Sequence, residues 1–151
     1  MKVLYTDASF DSAHTAQTTE PFVRGKIAVS DGKEFQRVER VAVGKVPNLQ
    51  QYINILELTA VARAVELACD MTDCDGFLHV YTDSMVAKAW ATNGKVNPKV
   101  STEAHVSALE YLRQARIKFG GGVTFYHILR DGNPAGWLLA KELKREAPHT
   151  I

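Results

Sequence analysis

A change of hydrophobic period at Tyr52 constrains this chain more than any other feature. Before it, Val3, Tyr5 and Asp7 alternate with Leu4, Thr6 and Ala8, the period of two that marks a strand, here running to Ser9 or Phe10. Phe22 to Ser30 and Phe35 to Val43 flank the turn signal Asp31-Gly32-Lys33 and carry β-branched residues in rough alternation, which predicts a hairpin and three antiparallel strands in all. From Tyr52 onward Leu56, Ala60, Ala64, Val65 and Ala68 recur about once per helical turn, so the same rule now predicts a helix of about four to five turns.

The two periods then alternate. Asp73 to Gly76 stops the helix, and Phe77 to Thr82 is a short apolar run suited to a buried strand. Ser84 can cap a short helix from Met85 to about Thr92, closed by Asn93-Gly94. Val100 to Lys118 reads as the longest helix after that, with Thr102 or Ser101 as cap, Val106, Leu109, Leu112 and Ala115 as its inner stripe, and Gly120 to Gly122 as its stop. Val123 to Ile128 is a last strand, Arg130 to Asn133 a turn, and Pro134 opens a closing helix to about Glu146. The polar stretch Asp11 to Glu20, followed by Pro21, is expected to be a surface loop. The order βββαβααβα, with no repeat or linker, predicts one α/β domain over residues 1–151, a mixed sheet with helices on its faces.

Composition narrows the function classes. The 18 Lys and Arg nearly balance 17 Asp and Glu, a net charge of +1, so a polyanionic partner would have to be held by local patches. No apolar run approaches the ~18 residues of a membrane-spanning helix. The first residues meet an acid at Asp7, too early for a signal peptide, and a cytoplasmic protein is expected. Cys69 and Cys74 are too few for a disulfide framework or a four-cysteine zinc site, and two reduced thiols are expected.

Three acids stand out by position. The first and fourth strands run into Asp7 and Asp83, and Glu57 sits among Ile55, Leu56 and Leu58 near the start of the first helix. Each alone reads as a cap or turn residue. Together they place carboxylates at element ends, where α/β sheets gather their sites. An acid in apolar surroundings costs free energy unless it is paired or binds a cation, and a carboxylate-only donor set suits Mg²⁺ or Mn²⁺. Two such ions can activate a water and stabilise the leaving oxygen of a phosphoryl displacement.

Tyr5-Thr6-Asp7-Ala8-Ser9, Asn54-Ile55-Leu56-Glu57-Leu58-Thr59-Ala60 and Tyr81-Thr82-Asp83-Ser84 resemble the first three acidic motifs of type 1 ribonuclease H, in order and on the corresponding elements. His127-Ile128-Leu129-Arg130-Asp131-Gly132-Asn133, followed by Leu139-Ala140, is similar to that family's loop before its final helix. The resemblance runs from Lys2 to about Glu146 and implies a ribonuclease H-like five-stranded mixed sheet with helices on both faces. It also implies a Mg²⁺- or Mn²⁺-dependent endonuclease that hydrolyses the RNA strand of RNA–DNA hybrids, with Asp7 bridging two ions while Glu57 and Asp83 hold the one that activates water. Asn54 matches one of two asparagines that touch the hybrid in the family, the other being Ile53 here. Asn54 and Ser84 are candidates for sensing the 2′-hydroxyl in the shallow minor groove, and Asn133 is a further candidate for substrate contact.

Trp137 stands where the family pattern Asn-x-x-Ala-Asp-x-Leu-Ala has a fourth metal-binding aspartate, and Gly136 replaces its alanine. Three outcomes stay open: Asp131 reaches the second metal, three carboxylates suffice, or catalysis is lost and a silent nucleic-acid-binding module remains. A resolvase or exonuclease on the same fold is a further alternative. His127 is an auxiliary catalytic candidate for proton transfer, against a structural role. Lys88, Lys95 and Lys99 lie just after Asp83 and are candidates for phosphate contacts, against a reading as solvated charges. Trp90 and Trp137 are expected to pack on their apolar helices, with base stacking as the alternative.

Overall fold

Thr6 and Thr82 face each other across two parallel strands, and the sheet extends outward from them. The computed structural model describes residues 2–10, 22–44, 49–71 and 76–146. Strands β1 (Lys2–Phe10), β2 (Phe22–Ser30) and β3 (Gln36–Gly44) form the expected antiparallel set. After helix α1 (Leu49–Met71), strand β4 (Phe77–Thr82) returns parallel to β1, and β5 (Gly122–His127) adds parallel to β4. The sheet order is β3-β2-β1-β4-β5. The remaining helices are α2 (Met85–Asn93), α3 (Glu103–Phe119) and α4 (Pro134–Glu146).

Alternation decides which helix covers which face. Leu4 and Val29 point into the main core with α1, α2 and α3, whereas Ala28 packs on the opposite face against Ala135 and Leu139 of α4. Helices therefore lie on both faces of the sheet. The expected surface loop Asp11 to Glu20 lies outside the described residues.

Helix α1 starts at Leu49, earlier than its apolar spacing suggested, because Leu49, Gln50 and Gln51 continue the helix with good formers ahead of the apolar stripe. From Ile55 to Ala68 it is buried on nearly all sides, as a helix sandwiched between a sheet and another helix must be. A Cβ at Gly25 would lie 2.6 Å from Leu56 Cδ1 and 2.6 Å from Ser9 O, so glycine there lets α1 settle close to β1 and β2. The polar residues of α1 are tied down: Arg63 donates to Glu39 Oε1 at 2.7 Å and Oε2 at 3.0 Å, and also pairs with Glu66. Tyr111 donates to Glu66 at 2.8 Å, and the network joins β3, α1 and α3.

Helix α3 departs from the expected stripe. Ala104, His105, Ala108, Leu112, Ala115 and Phe119 face inward, while Val106 is 59% exposed. Alanines at 104, 108 and 115 let α3 approach α1 closely, and that packing rotates Val106 outward. Thr102 is the N-cap, and the place that glutamate or glutamine takes in a capping box is held by His105, whose Nδ1 accepts the Thr102 N–H at 3.0 Å. His105 is fully buried, edge-on to Trp90, and its Nε2 has no hydrogen-bond partner. Cys69 is disulfide-bonded, which corrects the expectation of reduced thiols: a cysteine count bounds a framework and says nothing of a single bond. Cys74 lies outside the described residues.

Burial pushes the His105 imidazole below its ordinary pKa. Its neutral form is the one the cap requires, so its contribution to stability is present above the unfolded value of about 6.5 and is lost as pH falls below it. Urea midpoints measured from pH 7.5 down to 5.5 are expected to fall more steeply for the parent than for His105→Gln, with the parent the more stable at pH 7.5.

Candidate metal centre and its cleft

The register that pairs Thr6 with Thr82 makes the next residues, Asp7 and Asp83, neighbours where the parallel ladder of β1 and β4 ends. Strand β1 itself runs on past Asp7 to Phe10, paired with β2, so the expectation that this strand ends at its acid does not hold. Both threonines are fully buried. The Thr6 hydroxyl donates to Tyr81 O at 3.0 Å, and Thr82 Oγ1 accepts the Ser84 N–H at 3.1 Å, where the chain turns out of β4. These bonds satisfy backbone groups at the point where the ladder ends. Glu57 arrives from α1, and one oxygen from each of Asp7, Glu57 and Asp83 lies within 4.8 Å of the others.

Electrostatics make this arrangement costly without a positive charge. Glu57 is buried and its Oε2 has no hydrogen-bond partner. Burial, then repulsion from Asp7 and Asp83, holds its carboxyl well above the usual range, and a hydrogen bond shared with Asp7 favours its protonated form. Asp7 is pushed up to about 6 by burial and by Asp83, against the lowering pull of Glu57, the Ala8 backbone and Arg130. An oxygen-only set of three acids with one orphaned oxygen fits a hard divalent cation such as Mg²⁺ or Mn²⁺.

Asn133, the residue before α4, fixes the cluster. Fully buried, it donates to Thr6 O at 2.9 Å and Asp83 Oδ2 at 3.4 Å, and its Oδ1 accepts the Ala135 N–H at 3.1 Å. Its amide thus holds β1 and Asp83 instead of facing the cleft. Ser84 caps α2 by accepting the Ala87 N–H at 3.0 Å. Asn54 is half-buried one helical turn before Glu57, and Lys88 is half-buried on α2. Lys95 and Lys99 are exposed beyond α2. His127 is exposed at the end of β5, in register with Thr82 and so one strand over from Asp83.

An open cleft of about 390 Å³ lies against Asp7, with Arg130, Asp131, Gly136 and Trp137 on its walls. Asp131 is exposed on the single helical turn Arg130–Gly132 and stands in this cleft, outside the group of three. A Cβ at Gly136 would lie 3.2 Å from Asp7 Oδ2, so the glycine leaves that oxygen uncrowded. Trp137 is 59% exposed, contrary to the packing role expected of it. Ala135 and Leu139 set the inner face of α4, and a residue two places from each is turned ~200° away. Trp90 is half-buried against the main core, as expected.

The sheet order and the placement of the helices are those of the type 1 ribonuclease H fold, which solved structures share over nearly the whole chain. Ribonuclease H1 from the halophilic archaeon Halobacterium salinarum superposes with a TM-score of 0.60 at 16% identity, over 96% of this chain and 98% of that one. The N-terminal RNase H domain of a Mycobacterium tuberculosis protein, solved as a fusion with maltose-binding protein, gives a TM-score of 0.59 at 9% identity, over 97% of this chain and 100% of that one. LC11-RNase H1, isolated from compost, was solved in complex with an RNA/DNA hybrid and gives a TM-score of 0.53 at 18% identity, over 93% and 98% of the two chains. No protein-family model and no curated protein matches the chain.

Asp7 bears on stability with a definite sign. Its raised pKa means that the folded state holds a proton more tightly than the unfolded one, so stability is lost as pH rises from about 3.8 through about 6. Metal-free Asp7→Asn is therefore expected to unfold at a higher temperature than the parent at pH 7, by the equivalent of about 1–2 kcal/mol. The difference should shrink below pH 4 when both are followed by circular dichroism.

Proposed function

We propose that this chain is a metal-dependent endoribonuclease that cuts the RNA strand of RNA–DNA hybrids. The observation that carries the reading is the convergence of Asp7 and Asp83, where the β1–β4 ladder ends, with Glu57 of α1, whose Oε2 is left unpartnered. A ribonuclease H-like fold and a structure of that fold holding an RNA/DNA hybrid support the choice of substrate.

Asp7, Glu57 and Asp83 would hold Mg²⁺ or Mn²⁺, with Asp131 as the candidate for a fourth carboxylate from the cleft wall. The bound cation supplies a water of lowered pKa and charge stabilisation at the phosphate. The protein supplies position: Asn133 and the Thr6 and Thr82 hydroxyls keep the strand ends and Asp83 fixed before substrate arrives. Arg130 lines the cleft close enough to lower the Asp7 pKa, and it brings positive charge to where a phosphate would enter. His127, exposed beside this edge, can pass a proton to solvent. Asn54 and Ser84 would meet the minor groove and its 2′-hydroxyls, and Lys88, Lys95 and Lys99 the phosphates of the duplex.

The test is cleavage of a hybrid labelled on each strand in turn, in Mg²⁺ and in Mn²⁺, with duplex RNA and duplex DNA alongside. Metal-dependent cutting confined to the RNA strand is expected, reduced at least ~100-fold in Asp7→Asn, Glu57→Gln and Asp83→Asn. Asp131→Asn separates the metal readings: a raised Mg²⁺ requirement marks it as a ligand, and unchanged kinetics leave three acids. Binding of hybrid without cutting by folded protein would replace this reading with a silent binding module, a possibility that Trp137 at the cleft makes specific.

A further inference from the structure

Large apolar side chains in the open are ordinarily scattered, but Trp137 is exposed and anchored at once. Its indole N–H donates to Asp131 O at 3.0 Å, a bond that fixes the tilt of the ring without help from the core. The ring borders the same cleft as Asp7 and Arg130. Ala140 and Leu143, each three residues further along α4, line the cleft with it and continue an apolar stripe along the helix. Asp7, Arg130 and Asp131 bring charge to the same cleft.

A cleft that joins a cationic side chain and an exposed aromatic ring matches a nucleotide, whose phosphate takes the charge and whose sugar and base take the ring. We propose that Trp137 is a substrate-binding residue that stacks on the nucleotide next to the reacting phosphate. The proposal rests on the nucleic-acid reading of the site above. The position that holds an acid in the resembling family would then give binding rather than metal ligation. Gly136 belongs to the same arrangement: without a Cβ it leaves Asp7 Oδ2 uncrowded on the side of α4 that precedes the indole.

Trp137→Ala, Trp137→Phe and Trp90→Phe proteins test this with the RNA–DNA hybrid as probe. Trp137 stands mostly in solvent, so both of its variants are expected to fold, as circular dichroism would verify. Trp137→Ala should raise KM about tenfold with kcat changed less, and Trp137→Phe should restore most of the loss, because a phenyl ring still stacks. In Trp90→Phe, where Trp137 is the remaining tryptophan, adding hybrid should quench the fluorescence. Hybrid cut with unchanged KM by Trp137→Ala, together with unquenched fluorescence, would overturn the inference and leave the proposed function standing. Failure of the parent to bind or cut hybrid would remove the proposed function and this inference with it.

Discussion

Three carboxylates with oxygens held within 4.8 Å of one another, one of them buried with an unpartnered oxygen, are the constraint on which this structure turns. Two full charges 4 Å apart repel by about 4 kcal/mol at an effective dielectric near 20, several times the net worth of an ordinary hydrogen bond. Protein contacts that could relieve this are few: Asn133 reaches Asp83, and Arg130 acts on Asp7 from the cleft. Metal-free, the cluster answers by keeping protons, as the raised Asp7 and Glu57 carboxyls record. A divalent cation removes the same repulsion while restoring full charge to the acids.

The rest of the fold makes separation of the acids impossible. Parallel pairing of β1 with β4 fixes Asp7 beside Asp83, and the close approach of α1 permitted by Gly25 delivers Glu57 from the first helix. Asn133 links α4 to the same point, so one buried amide couples the helix on the far face of the sheet to the acid cluster. Through that link the residues after Asn133 are set against the acids, and Gly136 and Trp137 line the cleft beside Asp7.

Much of this was legible in the sequence because burial imposes period on the chain. The alternation of period two with a helical period, together with caps and turn residues, located the strands and α-helices in order. Acids at the edges of apolar runs located Asp7 and Asp83, although β1 continues past Asp7 to Phe10. What escaped obeys geometry that spacing does not carry. Thr6 and Thr82 look like ordinary strand residues, and only pairing reveals that their hydroxyls close the ladder ends. His105 caps α3 where an acid or amide is the usual signal, and the small residues that bring α3 onto α1 turn Val106 outward. Trp137 looked like a packing residue on an apolar helix, yet the phase of α4 is set by Ala135 and Leu139. A threonine directly preceding each of the two aspartates was the signal available for the first of these.

The most direct measurement is calorimetric titration of Mn²⁺ into the metal-free protein at pH 6, repeated in two buffers of different ionisation enthalpy. Saturable binding with a heat that depends on the buffer is predicted, because the cation must displace protons held by the acid cluster, and Asp7→Asn should lose the binding. Binding absent in the parent, or unchanged in Asp7→Asn and free of proton release, would contradict the account.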